Sequence, residues 1–88
     1  MGITHFSKGG QGSDPAVRDE AVLFTSHWDS FGVGRPIGGD SIYNGALDDA
    51  SGVAWMLAMA EAFRALPTPP RRTLVFVSFT AEEAGLLG

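Results

Sequence analysis

"SGVAWMLAMAEAFRALPTPPRRTLVFVSF", residues 51–79, changes its hydrophobic period halfway along, and the fold class follows from that change. In the first half Val53, Met56, Leu57, Ala60 and Phe63 recur at helical spacing, with Glu61 and Arg64 off the stripe. The spacing predicts an amphipathic helix from Ser51 to about Leu66. Asp48, Asp49 and Ser51 stand where N-terminal capping groups belong. "PTPP", 67–70, stops the helix, because proline has no amide hydrogen to donate and its ring clashes with the preceding turn. "RTLVFVSF", 72–79, reads as a strand rich in β-branched and aromatic residues, apolar at almost every position.

Upstream, "AVLFTSH", 21–27, is a second short apolar run of strand formers. The order is therefore strand, helix, strand, and a helical crossover of this length implies parallel neighbours with a right-handed connection. Residues 30–47, "SFGVGRPIGGDSIYNGAL", hold five glycines and one proline and read as a long structured loop, ordered by Phe31, Val33, Ile37, Ile42 and Tyr43. Residues 1–20 are polar and glycine-rich and read as a loop or poorly ordered segment. "TAEEAGLLG", 80–88, looks like a loop entering a helix. A strand as apolar as "LVFVSF" expects cover on both faces, and one helix supplies only one. The expectation is an α/β fold, with residues 21–88 a piece of a larger domain.

Composition narrows the function. The 88 residues carry a net charge of -4, with 44% hydrophobic and 18% charged residues, which fits a globular chain. An acidic balance argues against nucleic acid or an anionic membrane surface as partner. There is no cysteine, so a transition-metal site here must use imidazole and carboxylate. No apolar run reaches the roughly 20 residues of a membrane-spanning helix, and the N-terminus has no signal-peptide core. "MGITHFS" fits a myristoylation pattern only loosely, and His5 reads as a surface residue. "GGDSIYNG" lacks the spacing of a calcium loop.

The acidic and imidazole side chains gather by position. In a parallel sheet, ligands bind beyond the carboxyl ends of the strands. His27 and Asp29 follow the first strand, Glu82 and Glu83 follow the second, and Asp48 and Asp49 open the crossover helix on the same edge. Taken singly, each has an ordinary explanation as a turn residue, a helix cap or a packed histidine. Taken together they do not, because like charges gathered on one edge repel unless a cation sits among them.

"SHWDSFGVG", "GDSIYNGALDDASGVA" and "RTLVFVSFTAEEAGLLG" resemble the di-zinc aminopeptidase family that includes secreted bacterial aminopeptidases and glutamate carboxypeptidase. The resemblance covers about residues 21–88. It implies the zinc-exopeptidase-like (phosphorylase/hydrolase-like) fold, a three-layer α-β-α domain with a mostly parallel sheet, of which this chain would be an N-terminal fragment. It implies two zinc ions, with His27 a ligand of the first, Asp48 the bridging carboxylate and Glu83 a ligand of the second. Glu82 becomes the general base that activates a bridging water, Asp29 the acid that orients His27, and the Asp48–Asp49 peptide bond cis. The implied partner is a peptide substrate, and the implied location secreted or periplasmic. A further Asp and His of the family would lie in the missing C-terminal part of the domain. Each zinc would then have two protein ligands against the usual three, so the isolated chain is expected to be inactive. Two other readings stay open: a glutaminyl-peptide cyclase-like acyltransferase on the same fold, and a peptidase-like module that binds without catalysis.

Overall fold

The computed structural model describes residues 4–5 and 11–88. Residues 1–3 and 6–10, part of the segment expected to be a loop, lie outside the described residues. The sheet has three strands, β1 (Thr4–His5), β2 (Ala21–His27) and β5 (Thr73–Phe79), in the order β1-β5-β2. Strands β2 and β5 run parallel in unbroken register from Ala21↔Thr73 to His27↔Phe79. The ladder extends one step further, with the Trp28 amide donating to the Phe79 carbonyl at 3.0 Å. The crossover between them is the helix α1, Ser51–Arg64. The chain is thus a partial α/β domain of strand–helix–strand design, as the period change requires.

One face of the sheet is packed by α1. Phe24 and Phe76, paired in register, stack at 5.0 Å between centroids. Phe63 and Trp55 of α1 close on Phe24 at 5.8 and 6.1 Å. Deeper toward the carboxyl edge, Ser26 donates to Ser78 Oγ at 3.3 Å and lies 3.6 Å from Met56 Sδ. Alternation turns Leu23 and Thr25 to the opposite face, where Leu23 stays exposed and no described element covers it. Among the described residues, Met56, Phe76 and Val77 are the buried apolar ones, Met56 at 2% exposure. With so small a core, Met56→Ala is expected to remove about 2–5 kcal/mol of stability through lost contacts and a cavity. Urea unfolding measures it, and a loss below about 1 kcal/mol contradicts this account of the core.

Three local expectations are corrected. The segment read as a loop between residues 30 and 47 contains a hairpin, β3 (Gly32–Ile37) and β4 (Asp40–Tyr43). Ile37 pairs with Asp40 across Gly38 and Gly39, both at positive φ, the two-residue turn whose twist matches paired strands. The Gly-Gly pair was the available signal, masked by the overall glycine content. Near the N-terminus, Thr4–His5 pairs antiparallel with Ser78 and Val77. Such pairing depends on a distant partner rather than on local sequence. Residues 80–88 make turns, not a helix: the Gly85 and Leu86 amides donate to the Glu82 carbonyl at 3.0 and 2.8 Å, and both residues have positive φ.

The approach to β5 is fixed by a close backbone contact. A Cβ on Gly12 would stand 2.2 Å from the Arg71 carbonyl oxygen, so only glycine fits. Next to it the Arg71 guanidinium meets Asp14 at 2.8 Å.

Candidate metal centre

The parallel pairing ends both strands on one edge, and the residues just beyond them meet there. His27, the last residue of β2, is 9% exposed. Its Nδ1 lies 3.1 Å from the Asp29 carbonyl oxygen, which fixes the ring and directs Nε2 outward. Nε2 sits 2.8 Å from Asp48 Oδ1 and 3.7 Å from Glu82 Oε2. One ligand atom each from His27, Glu82 and Glu83 lies within 4.8 Å of the others. Asp48 reaches this group through His27 and is 77% exposed at its side chain, so much of its carboxylate remains accessible. The Asp48–Asp49 peptide bond is cis.

Asp29 sits beside His27 but orients it differently from the expectation. Its carboxylate is 3.5 Å from Nδ1, farther than its own carbonyl oxygen at 3.1 Å. The two carboxylate oxygens instead accept the backbone amides of Glu82 and Glu83, at 3.2 and 3.1 Å. Asp29 therefore ties the β2 exit to the β5 exit. With their amides held by one carboxylate, the Glu82 and Glu83 side chains both reach the His27 group.

Asp49 does more than cap. It caps α1 by accepting the Gly52 amide at 3.1 Å, and its other oxygen accepts the His27 amide at 3.1 Å. No local pattern announces the second bond, because its donor lies 22 residues upstream.

The charges explain one another. Burial works to lower the His27 pKa, but the hydrogen bond to Asp48, the Asp29 carbonyl and the nearby Glu82 carboxylate outweigh it and raise it above 6.5. For Glu83, burial and then the neighbouring Asp48 and Glu82 charges raise the pKa above the ordinary carboxylate value. Asp29 is pushed up by burial, yet its bonds to the Glu83 and Glu82 amides prevail and lower it. With Nδ1–H given to a carbonyl, a neutral ring would turn the Nε2 lone pair on a carboxylate oxygen at 2.8 Å. A proton resolves that conflict, and so does a cation. The donor set of imidazole nitrogen and carboxylate oxygen suits zinc.

The sign of the pH dependence follows. The folded-state pKa of His27 lies above its unfolded value, so its contribution to metal-free stability is full below about pH 6.5. That contribution fades as pH rises through the raised value. A metal held by His27 would need the neutral ring, so its affinity would rise over the same window. Urea unfolding of metal-free wild type and His27→Ala should show a stability difference that shrinks from about pH 5 to pH 8. A difference that grows would contradict the arrangement.

The strand–helix–strand unit of this α/β chain gathers imidazole and carboxylates at its carboxyl edge, the donor set of a candidate metal centre. The model of peptidase family M28 matches residues 9–88, and the chain belongs to that family. Among curated relatives, a "Probable zinc metalloprotease" of Pyrenophora tritici-repentis is 43% identical over 70 residues, 80% of this chain and 15% of the relative. A protein of the same description from Pyrenophora teres f. teres is 43% identical over 70 residues, covering 80% of this chain and 14% of the relative. The chain thus aligns with about a seventh of the length of these relatives. No solved structure matches. No helix among the described residues is long and apolar enough to cross a membrane.

Proposed function

We propose that these residues form part of the centre of a zinc-dependent exopeptidase, an aminopeptidase in the first instance, acting on peptide substrates. The observation that carries the reading is the meeting of the His27 ring with the carboxylates of Asp48, Glu82 and Glu83 in a chain of family M28. His27, Asp48 and Glu83 would hold the metal, and the Asp48 side chain, 77% exposed, leaves its carboxylate open to ions at this edge. When bound, zinc supplies Lewis acidity, stabilising charge on an oxygen that becomes negative during hydrolysis.

The chain's own groups do the rest. Glu82 takes a proton from the attacking water and returns it to the leaving amine. Asp29 holds Glu82 and Glu83 in place through their amides, and its carbonyl sets the His27 ring. The family relation and the zinc metalloprotease relatives support this assignment of chemistry.

Three ligands shared between two ions give two per ion, against the three protein ligands usual for catalytic zinc. The 88-residue chain alone is therefore expected to bind zinc weakly and to turn over no aminoacyl-nitroanilide. A full-length protein carrying it is expected to hydrolyse such substrates, to lose activity to a chelator and to regain it with zinc. Chelator-insensitive hydrolysis, or none of any peptide by the zinc-loaded full-length protein, would overturn the reading.

A further inference from the structure

The two oxygens of Asp49 join the strand that carries His27 to the helix that follows Asp48. One accepts the backbone amide of His27, the last residue of β2, and the other that of Gly52 in the first turn of α1, both at 3.1 Å. The elements joined in this way are the ones that set His27 Nε2 and Asp48 Oδ1 2.8 Å apart. Gly52 leaves the space that the carboxylate fills: a Cβ there would lie 2.2 Å from Asp49 Oδ1. A glycine inside a helix is unfavourable on conformational grounds, and here its missing side chain has a use. Asp49 is absent from the group formed by His27, Glu82 and Glu83, and both of its oxygens are engaged by the backbone.

We propose that Asp49 is a positioning residue for the metal centre: it acts through His27 and Asp48, keeping the two side by side so that one ion can take both. The inference rests on the zinc reading above. Groups behind metal ligands commonly change affinity 10- to 100-fold when replaced. Asp49→Asn keeps the shape but has a single acceptor oxygen, so its NH2 group must face one of the two amide donors. Gly52→Ala retains the carboxylate and displaces it.

The experiment measures zinc affinity by calorimetry and the visible spectrum after cobalt substitution, in the full-length protein and its Asp49→Asn, Gly52→Ala and His27→Ala variants. Asp49→Asn is expected to raise the zinc Kd about 10- to 100-fold and to shift the cobalt bands, with Gly52→Ala moving both in the same direction. A role confined to helix stability would lower the melting temperature and leave the spectrum of the loaded protein alone. Wild-type Kd and bands in Asp49→Asn overturn the inference. If that variant does not fold, Gly52→Ala decides by the same two readouts. Loss of zinc in His27→Ala with no change in the Asp49 and Gly52 variants sinks only this inference. Unchanged zinc binding in His27→Ala sinks the metal centre with it.

Discussion

Glu82→Gln is expected to lower kcat for peptide hydrolysis by the full-length protein about 100- to 10,000-fold while its zinc content stays near wild type. The amide matches the carboxylate in size and still bonds through its oxygen, but it cannot take a proton at neutral pH. Glu82 is the residue to ask, because Glu82 and Glu83 both reach the His27 group and proximity alone does not divide their roles. Their amides are held by the same Asp29 carboxylate, so neither substitution frees the loop. If Glu82 were a ligand, its glutamine variant would lose zinc along with activity, whereas a base loses rate alone. A fall in kcat below about tenfold would mean that the proton goes elsewhere.

His27→Ala is expected to weaken zinc binding by more than about 100-fold and to take activity with it. The ring is the only nitrogen donor in the group that it forms with Glu82 and Glu83, and its Nε2 is the point on which Asp48 and Glu82 bear. Without it, the remaining carboxylates face one another with no directed donor between them. Zinc favours imidazole in such sites, and carboxylates alone suit harder ions. Calorimetry at neutral pH measures the loss. A change under about fivefold would show that the metal is held without His27.

The parts of this molecule that were legible in the sequence are those specified by period and by strand ends. The Met56–Phe63 stripe and the "LVFVSF" run each carry their own period, and a crossover of that length permits parallel pairing, so β2, α1 and β5 could be placed. The meeting of His27 with Glu82 and Glu83 follows from that pairing, since residues beyond the carboxyl ends of neighbouring parallel strands stand side by side. What the residues do not announce are bonds between side chains and distant backbone. Asp29 reaches amides 53 and 54 residues away, and Asp49 reaches one 22 residues back. Such bonds depend on the assembled edge. The hairpin was obscured for another reason: residues that serve a tight turn also look like loop residues when glycine surrounds them. The short strand at Thr4–His5 follows from register with β5 alone.

X-ray absorption at the zinc edge of the loaded full-length protein, compared between wild type and His27→Ala, tests the central claim most directly. The account predicts oxygen and nitrogen neighbours at about 2.0–2.2 Å, no sulfur from this cysteine-free segment, and an imidazole scattering signature that weakens in the variant. An imidazole signature unchanged by the loss of His27 would contradict it.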